Sequence, residues 1–468
     1  MVFSSLEFLY LYLPVCLFVY FIIPARHLKF RNLALLAVSL VFYGWSEPVY
    51  VFIMVFSIAV DYCCGYFVDR YLPVSRKKAR LFVILSAVIN LSVLGFFKYA
   101  DFIIANLSAL PGLSSLKPIG VPLPVGISFY TFQTMSYTLD VYMGNAKKQS
   151  NIVSFGSYVT MFPQLIAGPI VRYQDVDDAL RERSHTVERA AAGIRRFICG
   201  LCKKVLLANT AGAMYEAFAS GAAESSTVLG SWLGIIFFAF QIYFDFSGYS
   251  DMAIGIGYVL GFQFPENFNY PYISRSVTDF WRRWHITLST WFREYVYIPL
   301  GGNRKGKGRT YLNLLVVWFL TGLWHGASWN FVLWGLYFCA LLVIEKAFLL
   351  KVLEKMPRAI SHIYAVITIL FGWLIFISCD LASPITYVKG MFSGPLASGE
   401  VVYDLVRMLF FLLILCVAST PLPKRIYDRF YKTGAGKLVF AILCPAALLL
   451  CTAYLVDSSY NPFLYFRF

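Results

Sequence analysis

The sequence predicts an all-α, polytopic membrane protein, and three observations lead there. Hydrophobic residues fill 59% of the 468 positions and charged residues 14%, more apolar surface than a soluble fold uses. The apolar residues fall in long runs, among them 6–23, 228–244 and 438–456, of the length needed to cross the hydrocarbon of a bilayer. Lys and Arg, which bring the formal net charge to +15, gather in short blocks between those runs, the pattern of cytoplasmic loops. In hydrocarbon every backbone N–H and C=O must find a partner inside its own helix or in a closed barrel. The runs lack the alternation of barrel strands, so they are read as helices.

Taken in order, "LEFLYLYLPVCLFVYFII" (6–23) is the first crossing. It has no basic start and no small-residue cleavage site, so it is read as an anchor and not a cleaved signal. The basic block "RHLKFR" (26–31) follows it, which places the N-terminus outside. Further blocks, 69–80, 145–149, 193–204, 303–309 and 423–437, punctuate the chain, and the last precedes the final run. The tail 457–468 is therefore also expected outside. About a dozen crossings are anticipated, some short or re-entrant, in a single domain over 1–468, because no internal repeat or linker divides the chain. The basic charge does not point to nucleic acid, which needs a contiguous basic face on a soluble element.

Two stretches interrupt the simple spans. "RYQDVDDALRERSHTVERAAAGIRRF" (172–197) is too charged to cross; its acidic start and later arginines suit a helix dipole, and an interfacial helix is expected. The segment 267–309 mixes Trp and Tyr with Arg275, Arg282, Arg283, Arg293 and Glu294. It predicts short helices dipping into the cytoplasmic face around a polar cavity.

Of the five histidines, His27, His185 and His362 lie in ordinary loop or interfacial contexts, whereas His285 and His325 sit among Trp and Gly. An ionisable group at membrane depth marks a function or a buried partner. An imidazole among tryptophans is kept neutral and suits a general base; a hydrogen-bonded structural histidine fits His325 as well, and "RRWH" around His285 fits an interfacial one. No G-x-S-x-G or H-E-x-x-H motif is present. "GGNRKGKG" (301–308) approaches a phosphate loop, but Gly308 replaces the Ser/Thr and no strand precedes it. Its cations remain candidates for holding a donor's phosphates, against a plain cytoplasmic loop. Asp245 and Asp251 are expected to cap or pair with nearby arginines rather than line a cavity. Cys199 and Cys202 form a C-x-x-C without a second pair, so no metal site is expected.

The segments "FPQLIAGPIVRY" (162–173), "YFDFSGYSDMAIG" (243–255), "DFWRRWHITLSTWFREYVYIPLGGNRKG" (279–306), "TGLWHGASWNFVLWG" (321–335) and "NPFLYFRF" (461–468) resemble the membrane-bound O-acyltransferase family, and within it the branch that acetylates alginate. The match keeps the family's order across essentially the whole chain. The resemblance implies a bundle with re-entrant and interfacial helices around a central tunnel, His325 as the catalytic histidine and His285 as the second characteristic one. It implies Tyr465 as an acyl relay, where an outer aromatic belt fits the same residues. It implies a cytoplasmic thioester donor, acetyl-CoA or an acyl-carrier thioester, with no permanently bound cofactor, and Arg282, Arg283, Arg304, Lys305 and Lys307 as contacts for the donor's phosphates. The expected partners are a polysaccharide acceptor, membrane lipids and a separate extracytoplasmic acetylesterase-like (SGNH-type) protein; the expected location is a bacterial inner membrane. D-alanyl transfer to teichoic acid, peptidoglycan acetylation and a non-enzymatic glycan exporter are the rivals. The missing repeat argues against a transporter, and the two Trp-flanked histidines argue against a mere scaffold.

Overall fold

A computed structural model of the protein describes residues 2–219, 227–378, 382–457, 461 and 464. Among these residues there are helices and no strand. Among the described residues seven helices are long and apolar enough to cross a membrane: Val51–Tyr71, Arg76–Ser108, Val187–Phe218, Val228–Val259, Arg358–Ile377, Gly399–Ala418 and Gly434–Asp457. Shorter apolar helices such as Phe8–Phe21 lie outside this length class, and the helix from Trp329 runs on through a π-helical turn at Glu345–Leu349 to Lys355. The molecule is a multi-pass helical membrane protein.

The chain gathers into two compact units, Met1–Phe197 with Tyr249–Glu266, and Ile198–Gly248 with Asn267–Phe468. In the first unit the helix Ile127–Met143 is buried on nearly every side and carries Gln133, Thr134, Ser136, Thr138 and Asp140 into the interior. Such polarity is tolerated because most of it is paired. Ser136 Oγ donates to the Gln133 carbonyl at 2.7 Å, and the Asp140 carboxylate accepts from the Gln174 backbone N–H at 3.0 Å. Asp61, on Val51–Tyr71, accepts from Ser86 Oγ and from Asn90 Nδ2 at 2.8 Å, tying that helix to Arg76–Ser108.

The stretch 172–197 differs from the single interfacial helix expected. A turn at Tyr173–Asp175 and a short helix at Asp177–Arg181 are followed by extended chain over 182–186, and a new helix starts at Val187. The acids that were to complement a helix dipole pair with arginines instead: Arg172 with Asp175 at 2.7 Å and Arg181 with Asp177 at 2.8 Å. Downstream, Arg196 bonds Asp251 at 2.9 Å and also Glu266. With that charge neutralised, the helix from Val187 runs on into a spanning length.

In the second unit, Gly306–His325 and Trp329–Ile344 form a tight hairpin. Gly322 and Gly335 face each other across it: a Cβ on Gly335 would strike the Trp318 carbonyl and one on Gly322 the Phe331 carbonyl. Small residues that let backbones approach are the usual device for packing helices in a membrane. Arg358–Ile377 packs against the same Trp329–Ile344 helix. Between residues 267 and 305 the chain makes only short helices, Pro271–Ile273, Val277–Trp281, Ile286–Phe292 and Arg293–Tyr297. These pieces lie in the second unit and carry His285.

Candidate functional site

His325 is the last residue of the helix Gly306–His325, and Gly326 turns the chain into the next helix. Its ring is 8% exposed and is enclosed edge-on by Trp334 and Phe376, with ring centroids 4.9 and 5.2 Å away, and by Trp324 at 5.1 Å. It borders a cavity walled by Asp245, Trp334, Trp373, Phe376 and Leu464. The central tunnel anticipated at this point is a tight space: about 10 Å³ is open to the centre of a water molecule, close to the minimum that holds one water. Bulky aromatic walls and Leu464, itself 5% exposed, fill the rest.

His285 lies in the turn between Val277–Trp281 and Ile286–Phe292, with φ +44°. A non-glycine residue in this left-handed region is uncommon and is kept only where its surroundings impose it. Here Asn267 imposes it. The Asn267 Oδ1 atom accepts from the Thr287 hydroxyl at 2.9 Å and faces the Thr287 backbone N–H at 3.4 Å, so it is an acceptor. His285 Nδ1, 3.0 Å from the same oxygen, therefore carries the proton and donates it. The other nitrogen, Nε2, keeps a lone pair and has no hydrogen-bond partner among the described residues. Complete burial holds the ring's pKa well below the ordinary imidazole range. Phe246 packs edge-on to His285 at 4.7 Å and also lines the His325 cavity. Trp324 stands next to both histidines, 5.9 Å from His285. The structure thus gathers the two sequence-predicted histidines about shared aromatic rings.

The expected phosphate contacts are not gathered in the same way. Arg283 is engaged by Asp279 at 2.8 Å and by the Asn269 carbonyl at 3.2 Å, while Arg282 is exposed. Arg304, Lys305 and Lys307 are exposed at the start of the helix that ends in His325. Twenty residues separate the helix's ends, about 30 Å. Tyr465 lies outside the described residues; its neighbour Leu464 is described.

Two contributors, Glu345 and Lys204, were not predicted from sequence. Glu345, fully buried, accepts from the Val277 and Thr278 backbone N–H groups at 2.7 and 2.8 Å and from the Thr278 hydroxyl at 2.6 Å, capping the short helix that leads to His285. A signal was available: one acid inside the apolar run 338–350. Lys204 forms a buried ion pair with Asp245 at 2.8 Å, where a structural pairing with arginine was expected. Asp251 does pair with an arginine, Arg196. Cys202 meets Cys451, sulfur to sulfur, at 3.7 Å, and among the described residues no three His, Cys, Asp or Glu side chains gather as a metal site requires. The remaining histidines have local partners: His362 Nδ1 donates to the Ser274 carbonyl at 2.9 Å, and His185 lies 3.0 Å from the Tyr20 hydroxyl.

Comparison with known proteins bears on this geometry. The family model described as membrane-bound O-acyltransferase matches residues 143–383, which contain both histidines. A probable alginate O-acetylase of Azotobacter vinelandii is 42% identical over 84% of this chain and 78% of its own length. One from Pseudomonas putida is 38% identical over the full length of both chains. A peptidoglycan O-acetyltransferase of Helicobacter pylori is 35% identical over 84% of this chain and 80% of its own.

Proposed function

The chain belongs to the membrane-bound O-acyltransferase family, and from that premise we propose that it carries an acetyl group across a bacterial inner membrane. The donor is a cytoplasmic thioester, acetyl-CoA or an acyl-carrier thioester, and the acceptor is a hydroxyl of an extracytoplasmic polysaccharide such as alginate. The observation that carries this reading is His325, a buried imidazole on a tight cavity ringed by Trp334, Trp373 and Phe376. Such a site excludes bulk water, which would otherwise hydrolyse the thioester.

In the proposed reaction His325 takes the proton from the attacking hydroxyl. The hydroxyl oxygen bonds to the acetyl carbon, the carbon–sulfur bond breaks, and the departing thiolate takes the proton back from the imidazolium. General-base help of this kind is worth about 10²–10⁴ in rate. His285, with its Nε2 lone pair facing inward, orients the donor, and Arg282 and Arg283 are the cations nearest it in sequence. Tyr465 serves as the first acceptor and passes the acetyl group on, with a separate extracytoplasmic acetylesterase-like protein completing transfer to the glycan. The cavity must widen to admit an acyl group, so opening is part of the cycle. The alginate acceptor draws support from the Azotobacter and Pseudomonas relatives; peptidoglycan, suggested by the Helicobacter relative, is the second reading.

The test is turnover of radiolabelled acetyl-CoA by the purified protein. His325→Ala is expected to lower label transfer by about 10²–10⁴-fold; transfer at the wild-type rate would remove His325 from the chemistry.

A further inference from the structure

We infer that the buried Lys204–Asp245 pair is an anchor that holds Leu464 in the wall of the His325 cavity and so sets the shape of the space in which the acyl group is transferred; the last step rests on the acyl-transfer reading above. Asp245 lies in the middle of Val228–Val259, and its two carboxylate oxygens face different partners. Oδ1 is 2.8 Å from the Lys204 ammonium, and Oδ2 accepts the Leu464 backbone N–H at 3.0 Å. Lys204 Nζ in turn donates to Asn209 Oδ1 at 2.9 Å, and Asn209 Nδ2 donates to Asn461 Oδ1 at 3.2 Å. Leu464 and Asn461 thus join one network, the first through its backbone amide and the second through its side chain.

The pair is a poor stability device. Lys204 and Asp245 side chains are 3% and 4% exposed, and an ion pair at that depth gains little or nothing over well-packed apolar residues. What it supplies is a fixed acceptor. A buried backbone N–H needs a partner, and the Asp245 carboxylate provides one at Leu464, while Lys204 neutralises the charge. Lys204 sits in a π-helical turn, Lys203–Ala208, a local widening that recurs at functional sites. Asp245 and Leu464 also share the wall of the cavity that His325 borders. Holding the Leu464 backbone therefore holds that part of the wall in place. Asp245 and Lys204 are thus positioning residues.

Hydrogen exchange read by mass spectrometry on the full-length protein in detergent tests the anchor without any substrate. In the wild type the Leu464 amide is expected to exchange slowly. In Lys204→Met/Asp245→Leu, which removes both charges at similar volume, it is expected to exchange at least tenfold faster, while peptides from 228–243 keep their wild-type protection. Lys204→Arg, which preserves the pair, is expected to retain protection, and Asn209→Ala to lose part of it. Acetyl transfer to glycan is expected to fall at least tenfold in the double variant. Equal exchange at Leu464 in the wild type and the double variant overturns the anchor. Faster exchange with unchanged glycan transfer overturns the positioning role in acyl transfer. If His325→Ala remains active, the acyl-transfer reading fails while the exchange result stands.

Discussion

Asp61 in the first unit and Asp245 in the second are both carboxylates on apolar helices, and both are almost wholly buried. Their surroundings differ in kind. Asp61 meets neutral donors on regular helices: Ser86, whose hydroxyl also lies 3.1 Å from Thr138 Oγ1, and Asn90. Asp245 meets a cation and the Leu464 backbone N–H, and it borders the space beside His325. An ionisable group at membrane depth is read as functional by default, but burial alone does not separate these two. What separates them is whether the carboxylate faces a closed set of neutral helix donors or a cation and a cavity.

Substituting both regions in parallel gives the largest expected contrast. Asp61→Ala leaves the Ser86 hydroxyl and the Asn90 amide without their shared acceptor, a loss of about 2–4 kcal/mol for two buried donors. Its unfolding temperature in detergent is expected to fall clearly, with acyl transfer per folded molecule within about twofold of wild type, on the premise that a structural contact acts only through the folded fraction. His325→Ala is expected to do the opposite, keeping the unfolding temperature and losing transfer. The contrast breaks if Asp61→Ala abolishes transfer in protein that melts like the wild type.

A smaller effect reports on His285 through pH. Burial lowers the His285 pKa in the folded protein, while the unfolded chain titrates at about 6.5, the ordinary value for imidazole. The contribution to stability is thus present above pH 6.5 and lost as the pH falls, because the unfolded state takes up a proton that the folded state refuses. The slope is about 1.4 kcal/mol per pH unit below 6.5. His285→Asn is expected to flatten the decline in unfolding temperature between about pH 6.5 and pH 5. An unchanged slope would mean that His285 is not kept neutral in the folded protein.

How far the sequence carried these distinctions depends on the range of the contact. His325 was legible because its tryptophans and glycines are neighbours along the chain, and the close approach at Gly322 and Gly335 follows from the same fifteen residues. The short helices of 267–305 were legible from mixed Trp and Arg, which suit neither a span nor a free loop. Asp245 was read as a structural partner of arginine, and the structure gives it Lys204 and Leu464. No local pattern reports that contact, since residues 204, 245 and 464 meet only in the folded chain. Glu345 is a second case: its place inside an apolar run is visible in the sequence, but its commitment to capping Val277–Trp281, some seventy residues away, is not.

The smallest expected effect concerns the exposed cations at the far end of the His325 helix. Arg304, Lys305 and Lys307 were candidates for the donor's phosphates because the glycines around them imitate a phosphate loop. Along the helix axis they stand about 30 Å from His325, so a donor resting its phosphates there must reach that far to present its thioester. Arg282, three residues before the buried His285, lacks that handicap. Exposed charges at such a distance act mainly by attracting an anionic donor over the surface, and that attraction is screened beyond about 8 Å at 0.15 M salt. The triple substitution Arg304→Gln, Lys305→Gln, Lys307→Gln is therefore expected to raise the donor KM by less than about threefold at that ionic strength, and by more in low salt, with kcat unchanged. Arg282→Gln is expected to raise KM further than the triple variant does. The reverse order would return the phosphate site to the loop and require a donor path running the length of the helix.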